Sequence, residues 1–231
     1  MTLSVDPTPV EGMPAQSGRF DAMRNAMVAS QLRTNAVNDP RVVEAMRDVA
    51  REDYLPEDQR AVAYRDTLLP LNGGRRHNSP LATGRLITEA RVQPEDKVLL
   101  IGAAGGYAAA VLGRLAASVT AVEEDESLAG LATAALADQS NVSVVKGPLA
   151  AGSPEGGPYD VLIIDGAVAH VPDALVAQLR PGARVAAGID DRGVTRLASG
   201  RRTDGGFGLI DFADIECATL PGFAAPKTFK F

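Results

Sequence analysis

Between Val98 and Leu112 the chain reads VLLIGAAGGYAAAVL. An apolar run that ends at Gly102 meets Ala/Leu-rich sequence of helical length, and only Gly102, Ala103, Ala104, Gly105 and Gly106 lie between that run and Tyr107. A strand-to-helix turn without bulky side chains lets a ligand approach the backbone, and a helix N-terminus offers unpaired N–H donors. The spacing is not the GxGxxG of dinucleotide folds, and tight packing alone also produces such turns. The next apolar run, SVTAV, ends in Glu123, 21 residues after Gly102. An acid at the end of the second strand of a nucleotide-binding unit accepts hydrogen bonds from both ribose hydroxyls and disfavours a 2′-phosphate. The plainer reading of Glu123 and of the acids Glu124, Asp125 and Glu126 is a helix start that complements the dipole. The ribose reading predicts that Glu123→Ala weakens nucleoside binding without unfolding the protein. Gly147, Pro148 and Leu149 follow the third strand, where an adenine ring would lie.

A second candidate region is the loop LLPLNGGRRHNSP, residues 68–80, with adjacent glycines and prolines near both ends. Arg76 and Asn78 can hold a carboxylate, and His77 can act as a base towards a hydroxyl acceptor. As an ordinary loop, the same residues would simply face solvent. Arg75-Arg76 and Arg201-Arg202 are either local basic patches or solvated loops. His170 reads as a packed or surface residue.

Composition narrows the classes. The 231 residues suit one domain, and 45% hydrophobic content can bury a core without staples, although aromatics are only 4% and Trp is absent. A formal net charge of -6 argues against general attraction to nucleic acid or anionic lipid. One cysteine, Cys217, permits neither an intrachain disulfide nor a cysteine zinc cluster, and with only two histidines no metal is expected. No run of 18 apolar residues spans a membrane, and the first residues lack the basic and apolar regions of a secretory signal, so a cytoplasmic location is expected.

The supporting elements follow. Residues 1–18 read as a flexible arm, and 19–231 as one domain divided into N-terminal helices and loop (19–95), cofactor-binding core (96–190) and C-terminal strands (191–231). Phe20, Met23, Met27 and Val28 recur at helical spacing. Asp39 caps a helix whose first residue is Pro40, with Val42, Val43, Met46 and Val49 on its apolar face. Ser79-Pro80 starts another. From Lys97 five apolar runs (KVLLI, SVTAV, VSVV, YDVLIID, ARVAAG) alternate with helix-length segments, predicting an α/β, Rossmann-like, mostly parallel sheet with strands buried on both faces. Pro181-Gly182 predicts a turn into the last of these, and the β character of residues 207–219 an antiparallel edge.

At these residues the chain resembles the protein-L-isoaspartate O-methyltransferase family, over roughly residues 20–190. MVASQLR, DPRVVEAMRDVAREDYLP and AYRDTLLPL resemble the family's N-terminal helices and are the specific part. VLLIGAAGGYAAAVLGRL and VTAVEEDESL resemble its first and second cofactor motifs. PYDVLIIDGA, with Asp165, resembles the strand beneath the adenosyl site, and VPDALVAQLRPGARV the helix and turn before the fifth strand. The resemblance implies a class I methyltransferase fold and methyl transfer from S-adenosylmethionine to the α-carboxylate of an L-isoaspartyl residue in a peptide or protein acceptor. Because a carboxylate is already ionised at neutral pH, such a reaction needs positioning and charge complementarity more than a base.

The departures cluster at ligand-facing positions. Arg76 and Asn78 stand where the family places hydroxyl residues that orient the acceptor carboxylate, so Arg76, His77 and Asn78 together are expected to face the transferred methyl. Leu100 replaces an acid, Ala104 a glycine and Pro148 an aspartate, while Asp165 replaces a small or hydroxyl residue. The alternatives are a member with a different acceptor and a cofactor-binding protein with weak or no turnover. An NAD-dependent oxidoreductase would want a third regularly spaced glycine and a hydride-transfer constellation, and neither is present.

Overall fold

The structure, a computed structural model, describes residues 16–223. Its first helix, α1 (Gln16–Met27), begins inside the stretch expected to be a flexible arm; residues 1–15 lie outside the described region. A π-helical turn, Val28–Leu32, continues it and buries Val28 and Leu32. Helix α2 (Pro40–Asp48) starts as the sequence predicts: the Asp39 carboxylate accepts from Arg41 N at 2.9 Å, and Pro40 takes the first position. Val42, Val43 and Met46 then face inward.

The loop before the next helix is more structured than its composition suggests. Two-residue strands, β1 (Leu69–Pro70) and β2 (Arg76–His77), pair antiparallel, so residues 72–75 become the tip of a small hairpin. Gly73 and Gly74 have φ of +66° and +75°, a conformation that favours glycine. Helix α3 (Pro80–Ala90) is capped by Ser79, whose hydroxyl accepts from Ala82 N.

The sheet supplies the frame. Its strands are β3 (Lys97–Ile101), β4 (Ser118–Glu123), β5 (Val142–Lys146), β6 (Tyr159–Val168), β7 (Leu179–Asp191), β8 (Val194–Thr203) and β9 (Gly206–Ala213). Their order is β5-β4-β3-β6-β7-β8-β9. Pairings from β5 to β7 are parallel, and β7-β8 and β8-β9 are antiparallel. Helices α4 (Tyr107–Gly113), α5 (Glu126–Ala135) and α6 (Asp173–Val176) fill the crossovers.

Alternation along the central strands sends side chains into two separate cores. Val98 and Leu100 join one with Val161, Ile163 and the helices α2–α4. Leu99 and Ile101 join the other with Leu162, Ile164, Leu149, Leu175, Leu220 and Phe223. Three sequence expectations need correction. Strand β5 is an edge strand and only half-buried, because among the described residues no strand pairs with its outer side. Strand β7 starts at Leu179, before Pro181-Gly182; the turn is absorbed as an irregularity between the Tyr159–Leu179 and Val161–Arg184 pairs. The antiparallel edge is formed by residues 194–213, and the following stretch to Phe223 is irregular apart from one bridge, Ala167 to Thr219.

Asp39→Ala is expected to lower folding stability by about 1 kcal/mol, the usual worth of an N-cap, and to shift the denaturant midpoint with unchanged slope. A midpoint identical to the wild type would show that the helix starts without its cap.

Candidate functional site

The carboxyl ends of β3 and β4 lie side by side, which brings the glycine turn and Glu123 together. Gly102 N and Ala103 N donate to Val122 O at 3.0 and 3.1 Å, so the turn folds over the end of β4. Gly106, at φ +100°, caps α4, and Ala104, at φ +48°, aims its N–H at Glu123 Oε2 at 2.8 Å. Glu123 is wholly buried. Besides Ala104 N, its carboxylate accepts from Glu124 N at 3.0 Å and Asp125 N at 3.1 Å. It also accepts from Arg75 Nη1 at 2.5 Å and Nη2 at 3.2 Å. An ionised carboxylate has about four lone-pair sites, and five donors converge on this one.

The partner from the hairpin tip is the main departure from expectation. Arg75, read as part of a basic patch or a solvated loop, is 7% exposed and forms a bidentate ion pair 48 residues away. Arg76 is the exposed member of the pair. On the other side of the turn lies the segment Cys217–Leu220. Ala167 N donates to Ala218 O at 2.8 Å, and Leu220 N to Ala167 O at 2.9 Å, laying the segment along the end of β6. A Cβ at Gly166 would come within 2.5 Å of Leu220 Cγ, and one at Gly102 within 3.0 Å of Leu220 Cδ1. The leucine side chain thus rests on two backbones that have no side chains of their own.

The three loop residues expected to converge do not. Strand alternation turns Arg76 to solvent and His77 inward. His77 Nδ1 lies 3.1 Å from Arg51 Nη2, and its ring centroid is 6.0 Å from that of Tyr107. Burial, reinforced by the Arg51 charge, holds the imidazole well below its usual pKa, so it is neutral at pH 7. Asn78 points a third way. Its Nδ2 donates to Asp165 Oδ1 at 2.8 Å, and its Oδ1 accepts from Ala218 N at 2.8 Å. Thr83 Oγ1 donates to the same Asp165 oxygen at 3.0 Å. Burial pushes the Asp165 carboxyl above its usual range, while the bonds from Asn78 and Thr83 pull it back.

Arg51 is the residue that sequence reasoning missed. It has no exposed surface, and its guanidinium donates to Ala63 O, to Asn78 O and towards His77 while lying 4.8 Å over the Tyr107 ring. Its neighbour Tyr54 covers the turn: a Cβ at Gly105 would clash with the Tyr54 carbonyl. The N-terminal block therefore shapes the glycine turn from beneath. Gly147 N donates to Glu123 O at 3.0 Å, Leu149 is buried, and Pro148 is exposed at the same end of the sheet. His170 lies on the surface. Among the described residues no helix is long and apolar enough to cross a membrane.

A parallel sheet of this order, with a glycine turn after one central strand and an acid ending the next, is a class I methyltransferase fold. The chain belongs to the protein-L-isoaspartate(D-aspartate) O-methyltransferase family, whose family model matches residues 22–212. It is 40% identical over 204 residues to "Protein-L-isoaspartate O-methyltransferase 1" of Rhodopseudomonas palustris (strain HaA2), covering 87% of this chain and 80% of the relative. It is 36% identical over 200 residues to a protein-L-isoaspartate O-methyltransferase of Rhodopseudomonas palustris (strain ATCC BAA-98 / CGA009), covering 85% and 92%. Among solved structures, a protein-L-isoaspartate O-methyltransferase superposes with a TM-score of 0.75 at 23% identity, covering 86% of this chain and 66% of that one. A Plasmodium falciparum protein described as a putative member, in complex with S-adenosyl-L-homocysteine, superposes with a TM-score of 0.71 at 17% identity, covering 85% and 97%. These two likenesses speak for the fold.

The residue types fit the adenosyl cofactor that the family implies: a turn of glycine and alanine, a strand-end acid and a buried apolar Leu149. Their atoms are nonetheless satisfied internally, Glu123 by Arg75 and backbone amides, and Gly102 and Gly166 by Leu220.

The hydrogen-bond count changes what Glu123→Ala should do. Removing a carboxylate that holds a buried guanidinium and three amides is expected to cost about 3–5 kcal/mol of stability, a larger loss than a variant expected from the sequence to weaken binding without unfolding would suggest. Equilibrium denaturation of the variant checks this, and a loss below 1 kcal/mol would mean that Arg75 and the amides find other partners. His77 gives a pH prediction. Its folded pKa is depressed, so below the unfolded value of about 6.5 the unfolded state binds the extra proton, and stability falls with pH at up to about 1.4 kcal/mol per unit. Between pH 6.5 and 5.5 His77→Gln should flatten that slope; equal slopes would place the titration elsewhere.

Proposed function

We propose that this chain transfers the methyl group of S-adenosylmethionine to the α-carboxylate of L-isoaspartyl residues in damaged proteins or peptides. The observation that carries the reading is the family match from residue 22 to residue 212, with relatives of that name 36–40% identical over most of both chains. The match includes the N-terminal block that sets Arg51 and Tyr54 beneath the glycine turn. When bound, the cofactor supplies a methyl group on a positive sulfonium.

The chain's own contribution is placement and charge. Asp165, held by Asn78 and Thr83, puts a buried carboxyl beside the end of β6. Arg76 presents a solvent-facing guanidinium on the hairpin that borders the site, a suitable first contact for an acceptor carboxylate. The state of His77 favours a carboxylate acceptor over a hydroxyl. A hydroxyl must lose a proton to a base, and the loop's imidazole is buried with Arg51 against its Nδ1. A carboxylate arrives ionised and needs no such help.

Labelled S-adenosylmethionine should yield a base-labile methyl ester on an isoaspartyl peptide and none on its normal aspartyl counterpart. Arg76→Ala is expected to raise the KM for the peptide about fivefold, the scale of an exposed ion pair, with kcat little changed. Equal methylation of both peptides would remove the isoaspartyl assignment, and an unchanged KM would place Arg76 outside the acceptor path.

A further inference from the structure

We propose that the hairpin tip and the Cys217–Leu220 segment form a built-in cover over the nucleoside site, Arg75 latching Glu123 and Leu220 plugging the space between Gly102 and Gly166, and that the adenosyl cofactor binds only after both withdraw. The inference rests on the reading of the site as an adenosyl site and goes beyond it by assigning the chain a closed state. Four observations carry it.

The acceptor that a ribose needs is fully engaged. Five donors already reach the Glu123 carboxylate, two of them from one guanidinium. Ribose hydroxyls are neutral donors, whereas Arg75 makes a charge-assisted bidentate pair in a buried setting, so exchange of one for the other runs uphill unless the rest of the cofactor compensates. The turn itself is covered. Every residue from Gly102 to Tyr107 is buried, although the turn lies at the carboxyl end of the sheet, where such folds receive ligands. Leu220, only 4% exposed, supplies part of that cover by direct contact with Gly102 and Gly166.

The two covering pieces are joined. Asn78, at the base of the hairpin, takes a hydrogen bond from Ala218 N and gives one to Asp165. Lifting the segment therefore frees one end of Asn78, and moving the hairpin loosens the segment, so latch and plug leave as one unit. Finally, a way out exists. An open groove of about 560 Å³ runs between Gly73–Arg75, Glu124–Asp125 and Thr219–Pro221, so the seam between the two pieces already faces solvent. A cofactor that binds only the uncovered form has its affinity reduced by the fraction of molecules uncovered, and weakening the cover recovers that factor.

Calorimetric titration of S-adenosylhomocysteine into full-length wild type, Arg75→Gln and Leu220→Ala tests the cover without relying on turnover. Glutamine keeps one donor for Glu123 while removing the charge and the fork; alanine empties the plug. Each variant is expected to bind at least about tenfold more tightly than wild type. Leu197→Ala, a core truncation on β8, serves as the control for general loosening and should leave the affinity unchanged. Wild type binding within threefold of both variants, or an equal gain in Leu197→Ala, would overturn the cover and leave the proposed function standing. No binding by any of the proteins would overturn both the cover and the adenosyl site beneath it. Should Arg75→Gln fail to fold, Leu220→Ala against wild type decides the question on the same criteria.

Discussion

The Glu123 carboxylate is the point to which the rest of this structure is tied. It gathers the glycine turn through Ala104, the start of α5 through Glu124 and Asp125, and the hairpin tip through Arg75. A buried carboxylate is tolerable only when paired and hydrogen-bonded, and here the compensating donors come from three separate stretches of chain. The same group that a nucleoside would use as an acceptor thus acts as a structural keystone. On the proposed reading of the site, ligand recognition and fold stability would share one set of lone pairs, and a substitution there would act on both.

A second buried charge behaves differently. Among the described residues Arg51 has no carboxylate within ion-pair distance; its guanidinium donates to two carbonyl oxygens and the neutral nitrogen of His77 and lies over the Tyr107 ring. Asp165 is linked to it through Asn78, whose backbone carbonyl accepts from Arg51 and whose side-chain amide donates to the carboxylate. Burial keeps His77 neutral and raises the Asp165 carboxyl, the Arg51 charge reinforcing the first effect and opposing the second, and the bonds on both sides of Asn78 fix its position. Of the three loop residues Arg76, His77 and Asn78, the last two are woven into the protein's own network and Arg76 faces outward.

How much of this was legible in the sequence depended on how local the chemistry is. Asp39-Pro40 and Ser79-Pro80 announced their helices because a cap and its first amides are a few residues apart. The strand–glycine–helix order announced the sheet for the same reason, and the acid ending the next strand does lie against the glycine turn. Arg75 could not be distinguished from a solvated arginine, because its partner lies 48 positions on and nothing in the spacing points to it. Arg51 sat unnoticed inside a helical run, and Leu220 in a tail without periodicity. Strand alternation would have separated Arg76 from His77 had the hairpin been recognised, but the glycines and prolines of that stretch spoke only of a loop. The half-buried edge position of β5 likewise depends on strand order, which composition does not encode.

The hydrogen bond from Ala218 to Asn78 joins residues 140 positions apart. Loop-closure entropy favours late formation of contacts of such separation, after the intervening strands β3 to β9 have begun to pair. During synthesis, too, the glycine turn, its helix and Glu123 emerge long before residues 217–220 exist to lie over them. The carboxyl end of the sheet around Glu123 is therefore made before the segment whose Leu220 lies against Gly102 and Gly166, and that segment docks onto a surface already synthesised.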